Sequence, residues 1–304
     1  MGVATSSLVE VNSFMSQTGF SAGLATRRAL DTRVYAPRSK RSGKARRQEL
    51  EVKLAALQQD YAELHTAIFE AAQVHRRLCA PRLVRHGDFE IASEIFAVRH
   101  LPGDFFTVEE TSDGAILALG DIGGKGLAAG MWTTHLVGLV GAQVAKTSKP
   151  EAIVAAVNRD ICRMTSLVPL ASMFLAKLDP DTGMVNYCSA GHPPALLLRA
   201  NGELESLSEG GLLLGVVPEA TYVSGSFELG PGDVLMVYSD GVTESLNHAE
   251  EEFGSARVEQ QLRRAQIGSA DAMLFSMLGA VQDFAATRSL IDDMSLVIVR
   301  RDSR

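Results

Sequence analysis

From Leu50 to Leu78, apolar residues return in alternating steps of four and three: Leu50, Leu54, Leu57, Tyr61, Leu64, Ile68, Ala71, His75 and Leu78. That spacing draws a heptad seam along one helix face, and Pro81 ends it. Leu54, Tyr61, Ile68 and His75 share one seam position; Leu50, Leu57, Leu64, Ala71 and Leu78 share the other. Leucine at the second position suits a parallel two-stranded coil. Tyr61, Ala71 and His75 interrupt the seam, and the same stripe also suits one amphipathic helix packed on its own domain. His75 is read as a register or packing residue.

Beyond Phe89 the period changes to two. Strands are expected over 89–98, 105–110 and 115–119, with a turn at Ser112-Asp113-Gly114. Helices follow over 127–146 and from Pro150 to about Met164, proline being suited to a first helical turn. Strands return at 172–178, 185–190, 195–198, 227–229 and 234–238. Two more helices, over 251–265 and 270–287, precede a last strand at 295–300. Strand groups separated by helix pairs predict an α+β fold, with helices covering antiparallel sheets. Residues 1–45, rich in Ser, Thr, Gly and Arg without a sustained period, read as a disordered basic tail. Residues 46–80 read as a coiled-coil or signalling helix, and 85–304 as the main domain.

Charge sharpens this division. Of the 29 Lys and Arg and 36 Asp and Glu, the first 48 residues hold nine and two, so the remainder is acidic. An acidic body lacks the cations that nucleic-acid phosphates require. No apolar run is long enough to span a bilayer, and the start lacks the pattern of a secretion signal. Cys79, Cys162 and Cys188 are too far apart for a disulfide framework or a zinc site, which fits a reducing cytoplasm.

The chemistry sits in four aspartates at the ends of apolar runs: Asp104 in Pro-Gly-Asp-Phe-Phe, Asp121 in Gly-Asp-Ile-Gly-Gly-Lys-Gly, Asp240 in Tyr-Ser-Asp-Gly and Asp292 in Ile-Asp-Asp-Met-Ser. Carboxylates gathered together repel unless a cation shares them. Hard divalent ions such as Mn²⁺ and Mg²⁺ favour such oxygen donors. Two such ions about 3.5–4 Å apart activate a water for in-line attack on phosphorus, with no nucleophilic side chain needed. Asp121 is the best-placed shared ligand, and the glycine-rich turn after it lets the Ile122 carbonyl approach a metal. The Gly-Gly-Lys-Gly turn is not a P-loop, because Leu119 and Gly126 stand where Gly and Ser or Thr belong. Lys125 either contacts phosphate or pairs with a carboxylate. His192, in Ser-Ala-Gly-His-Pro-Pro, reads as a turn histidine, and Asp233 as a turn residue without a chemical role.

Gly103-Asp104-Phe-Phe, Gly120-Asp121-Ile-Gly-Gly-Lys-Gly126, Ser189-Ala-Gly-His-Pro-Pro, Gly232 to Glu244 and Asp292-Asp-Met-Ser295 occur in an order that resembles the metal-dependent Ser/Thr phosphatases. Within this PPM family they are similar to the bacterial stage II sporulation phosphatase E branch, over about residues 85–301. The resemblance implies an αββα sandwich holding two Mn²⁺ or Mg²⁺ ions. By motif, Asp121, Asp240 and Asp292 hold one ion; Asp104, Asp121 and the Ile122 carbonyl hold the other. Asp293 is the alternative to Asp292. The implied substrate is phosphoserine or phosphothreonine on a regulatory protein of the anti-sigma-factor-antagonist type. The implied role of the leading helix is signal transmission, here as a homodimer through residues 50–78. Pro102 replaces the branch's usual Gly, and Thr107 a frequent second Asp, which implies lower metal affinity or altered regulation. The phosphate-binding arginine of eukaryotic relatives has no counterpart; Arg99 and His100 are the neighbouring candidates. Competing readings are a catalytically weak phosphatase-like scaffold and a two-metal nucleotide phosphodiesterase.

Overall fold

The computed structural model describes residues 43–79, 81–99, 101–164, 169–288 and 290–302. The basic tail read over residues 1–45 lies, up to residue 42, outside the described residues, as does His100. The chain divides into two units, residues 1–56 and 57–304. What is described of the first is the opening of helix α1 (Gly43–Leu78). There Arg47–Glu51 and Lys53–Glu49 form exposed i,i+4 ion pairs, each worth a few tenths of a kcal/mol.

The second unit completes α1 and builds two sheets. Strands β1 (Leu83–His86), β2 (Phe89–Phe96), β3 (Phe105–Thr111) and β4 (Gly114–Ile122) precede helices α2 (Leu127–Val144) and α3 (Pro150–Met164). Then come β5 (Ala171–Leu178), β6 (Met184–Ala190), β7 (Ala195–Leu198), β8 (Leu204–Leu207), β9 (Gly210–Gly211), β10 (Gly225–Glu228) and β11 (Val234–Tyr238). The short α4 (Asp240–Thr243), then α5 (Gly254–Ala265), α6 (Ala270–Ala285) and β12 (Met294–Arg301) close the chain. One sheet has the order β1-β2-β12-β11-β7-β8; the other runs β10-β6-β5-β4-β3, with β9 added alongside β6. All neighbours are antiparallel except the two-residue β9, which is parallel to β6.

The period-two pattern explains the layering. In β4, Leu117 and Leu119 point between the sheets, together with Phe106, Phe174, Val237, Val297 and Val299. Its alternate residues Ile116 and Ala118 point the other way, onto α2 and α3 through Leu136, Val140, Ile153 and Val157. Met236, Leu296 and Ile298 do the same for the other sheet, against Val258, Met273 and Leu278 of α5 and α6. Both faces of each central strand are therefore dry, and each large side chain so buried contributes about 1.5–3 kcal/mol. This is the αββα sandwich the motifs implied.

Most expected elements fall within a few residues of the observed ones. Strand β4 runs further than expected, carrying its ladder through Asp121↔Ser172 and Ile122↔Ala171. Strands β1, β8 and β9 and helix α4 were not legible as elements, being too short to show a period.

Candidate metal centre

Each sheet contributes two of the four aspartates from neighbouring strands. Asp104 immediately precedes β3 and Asp121 lies near the end of β4, its ladder partner. Asp240 opens α4, two residues after β11, and Asp292 lies two residues before β12, which pairs with β11. Beyond the last ladder pair, Ser239 N–H donates to the Ser295 carbonyl at 3.0 Å, and Ser295 N–H donates to Ser239 Oγ at 2.9 Å. A Cβ on Gly241 would stand 2.0 Å from the Asp293 carbonyl oxygen, so only glycine lets these two turns come this close. Backbone geometry thus brings Asp240 beside Asp292.

The loop before β3 is fixed as tightly. Gly103 N–H donates to Asp293 Oδ2 at 2.7 Å, and its carbonyl accepts from Thr133 Oγ1 at 2.8 Å and from Ile122 N–H at 3.3 Å. A Cβ at Gly103 would meet the Ile122 carbonyl at 2.9 Å, Asp121 Oδ1 at 3.3 Å and the Gly124 carbonyl at 3.3 Å. Three oxygens therefore converge beside a residue that has no side chain.

Asp292 and Asp293 have different tasks. Asp293 is buried, and its two oxygens accept from Val98 N–H and Gly103 N–H, both at 2.7 Å. Asp292 is partly exposed and faces Lys125, Nζ to Oδ2 at 2.8 Å, while the same Nζ donates to the Ile291 carbonyl at 2.7 Å. Lys125 thus takes the carboxylate-pairing role of the two considered for it.

The electrostatics record the crowding. Burial, then the charge of Asp121, holds the Asp104 carboxyl well above the usual range. Its Oδ2 is buried and has no hydrogen-bond partner among the described residues. Burial pushes Asp121 up to about 6; Asp240, Asp292 and Asp293 add to the rise, and a hydrogen bond with Asp104 opposes it. Asp240 is raised by burial and then by Asp292, with Lys125 opposing. Among the described residues, no three His, Cys, Asp or Glu side chains are drawn together tightly enough to hold an ion by themselves. The orphaned Asp104 oxygen and the convergence at Gly103 fit a hard divalent cation, whose preferred donors are carboxylates, carbonyls and water.

The remaining candidates separate cleanly. His192 is buried, with Nδ1 2.8 Å from Ser172 Oγ, and burial depresses its ring to about 3, so it stays neutral. Asp233 accepts from Arg199 and from the N–H groups of Ala200 and Gly230, a structural role. Thr107 is buried and donates to Glu109 at 3.3 Å. Arg99 packs against Gly126, where a Cβ would lie 3.3 Å from its Cδ. Sequence reasoning missed the Ser239–Ser295 clasp and Thr133. The serines flank or end the aspartate motifs, a signal of sorts, whereas Thr133 sits mid-helix with none. Glu244, also inside a motif, is raised by burial and by Asp240.

Residues 111–302 match the family described as Stage II sporulation protein E (SpoIIE). The chain belongs to this family. Its fold is that of a PP2C-type phosphatase domain. It is 24% identical over 244 residues to the phosphoserine phosphatase RsbU of Bacillus subtilis, covering 79% of this chain and 71% of RsbU. The protein IcfG of Synechocystis is 27% identical over 135 residues, 43% of this chain but only 21% of IcfG. In three dimensions it is similar to the SiaA-PP2C domain of Pseudomonas aeruginosa, with a TM-score of 0.70 at 17% identity, covering 80% of this chain and 99% of that domain. It is also similar to the catalytic domain of the serine/threonine phosphatase PstP in complex with 2 manganese ions, with a TM-score of 0.53 at 18% identity, covering 71% and 99%.

Proposed function

We propose that the protein hydrolyses phosphoserine or phosphothreonine esters on a regulatory protein, with two Mn²⁺ or Mg²⁺ ions as cofactors. The supporting observation is the convergence of Asp121 and the Ile122 and Gly124 carbonyls on Gly103, beside the orphaned oxygen of Asp104. Asp121, Asp240 and Asp292 would hold one ion, and Asp104, Asp121 and the Ile122 carbonyl the other. Bound there, the ions would supply the charge that activates a water and neutralises phosphoryl oxygens.

The chain's own residues do the rest. Asp293 and Thr133 hold the Gly103 loop, which carries Asp104, against the Ile122 carbonyl. Lys125 balances part of the carboxylate charge through Asp292. Rigid donors held by two sheets need little reorganisation during the reaction, which is where preorganised electrostatic sites gain most.

RsbU is named a phosphoserine phosphatase, which supports that substrate class here. The partner we infer is a phosphorylated protein of the anti-sigma-factor-antagonist type, as the motif resemblance implies. We also propose three segments: a basic tail, the helix over 46–80 as a dimerising coil, and the catalytic body over 85–304. Leu50, Leu54, Leu57, Tyr61 and Leu64 are all exposed on α1, as an unpaired seam would be. The proposed setting is the cytoplasm; all three cysteines are free, and no helix among the described residues is long and apolar enough to cross a membrane.

The test is phosphate release from a phosphoserine peptide with Mn²⁺, with Mg²⁺ and with chelator, beside Asp121→Asn and Asp240→Asn. Metal-dependent release and a loss of at least a hundredfold in both variants are expected. Turnover that survives chelation, or variants as active as the parent, would defeat the reading.

A further inference from the structure

Between the second half of α1 and strand β2 lies a cavity of about 920 Å³. Its apolar lining includes Phe69 and Ala72 of the helix, Ile95 and Phe96 of the strand, and Phe106 of β3. That volume lies at the upper end of the range for small-molecule sites, about 300–1,000 Å³. None of Asp104, Asp121, Asp240 and Asp292 lines it, although Pro102 does.

Its polar groups are unbalanced. Arg76, Arg77, Arg82 and Arg99 line it, against one acid, Glu94. Arg82 is already paired with Asp271 and lies over the Phe275 ring. Arg76, Arg77 and Arg99 form no ion pair among the described residues. Inside, His75 is only 5% exposed, yet its Nε2 has no hydrogen-bond partner among the described residues. Such an unmet buried group is unfavourable and is relieved by a ligand that supplies its partner. Burial lowers the pKa of its ring, and the charge of Asp293 opposes this. A neutral imidazole nitrogen can still donate or accept one hydrogen bond to a ligand.

We propose that this cavity binds a small organic anion with an apolar body: its carboxylate or phosphate held by Arg76, Arg77 and Arg99, its body against Phe69, Ile95, Phe96 and Phe106, and a polar atom meeting His75. Arginine suits both head groups, because its planar fork offers paired N–H donors to two oxygens. The apolar lining calls for a hydrocarbon or ring body rather than inorganic phosphate alone. None of the four aspartates lines the cavity, so binding there should not require metal.

The test is calorimetric titration of the full chain, in chelator, with decanoate, decyl phosphate and decylamine. One saturable site for at least one of the anions is expected, at least tenfold tighter than for decylamine, and the tighter anion identifies the head group. The double variant Arg76→Gln/Arg77→Gln, on an exposed helix face, should weaken that binding about tenfold or more, as expected for lost charge-assisted hydrogen bonds. Ala72→Trp should block the cavity, and Asp121→Asn should leave binding unchanged. No saturable binding of either anion up to millimolar concentration would overturn the proposal. So would equal binding of decylamine, indifference to both cavity variants, or loss of binding in Asp121→Asn.

Discussion

Asp293 accepts the Gly103 N–H at 2.7 Å, tying the turn before β12 in one sheet to the loop before β3 in the other. Its second oxygen accepts from Val98 N–H at the same distance. A buried carboxylate with both oxygens so committed acts as a brace, whereas Asp292 is partly exposed, with one oxygen accepting the Asp293 N–H at 2.9 Å and the other facing Lys125. Asp293→Asn turns one acceptor into a donor facing an N–H. It should cost about 1–3 kcal/mol of stability and also weaken metal binding. Asp292→Asn should weaken metal binding with stability within about 0.5 kcal/mol of the parent. Denaturant midpoints in chelator, set beside metal titrations, separate the two; equal losses of stability would refute the division of labour.

Without metal, the crowded acids contribute stability that falls as pH rises. Asp121 titrates near 6 in the folded state, against 3.8 as its unperturbed value, with burial as the main cause. A raised carboxyl binds more protons folded than unfolded between these pH values, so its contribution is most favourable below about 4 and worsens as pH rises through 6. Asp121→Asn removes that slope. In chelator at pH 7 the variant should be more stable than the parent by about 1–3 kcal/mol, an advantage that disappears near pH 4. Taking the difference between the two proteins cancels the opposing slope of His192, whose depressed ring costs stability as pH falls below 6.5. Thermal unfolding across this range gives the curve; a variant less stable than the parent at pH 7 would contradict it.

The strands and the aspartates were legible for different reasons. Strands buried on both faces, such as Ala115–Leu119 and Val234–Tyr238, announce themselves as apolar runs bounded by glycine and polar residues. The four aspartates stood out because each ends such a run. Backbone-to-side-chain ties were not legible, since Asp293 and Asp292 are adjacent and chemically identical, and only the fold decides which of them meets Gly103. The same holds for α1. Its heptad spacing predicts one continuous seam, yet Leu50 to Leu64 are exposed while His75 is buried. A periodic stripe reports that a face is apolar, and not what covers it.

Gly103 is where a single methyl group would do most damage. A Cβ there enters the space between the Ile122 carbonyl, at 2.9 Å, and Asp121 Oδ1, at 3.3 Å. Gly103→Ala should lower Mn²⁺ affinity at least tenfold and phosphate release in parallel, while the far-ultraviolet circular dichroism stays unchanged. Thr133→Val, which removes only the hydroxyl that holds the Gly103 carbonyl, should give a smaller loss of the same kind. Undiminished metal affinity in Gly103→Ala would show that these oxygens do not face an ion.

Lys125 competes with any cation for Asp292. Its ammonium lies 2.8 Å from the carboxylate, and both groups are about a third exposed, so their attraction is modest and screened by salt. Lys125→Gln should raise metal affinity several-fold at low ionic strength, an advantage that fades in high salt. If Lys125 also meets the phosphate, the same variant should raise KM for a phosphopeptide while kcat changes little. A fall in metal affinity would mean that Lys125 supports the centre rather than competing within it.

The exposed stripe on α1 makes the last test. Leu57 and Leu64 are 65% and 61% exposed, which leaves apolar surface in water that a second copy of the helix would cover. Burying a leucine contributes about 1.5–3 kcal/mol, so two glutamates placed on a shared seam should separate a dimer. Removing the whole helix would be a poor test, because Ile68, Ala71 and His75 are partly or fully buried and their loss would disturb the body. Leu57→Glu/Leu64→Glu leaves those residues in place. The parent should sediment as a dimer and the variant as a monomer, with the same thermal midpoint for the catalytic body measured in excess Mn²⁺. A parent that is monomeric at high micromolar concentration would remove the coil, and the stripe would then need another partner.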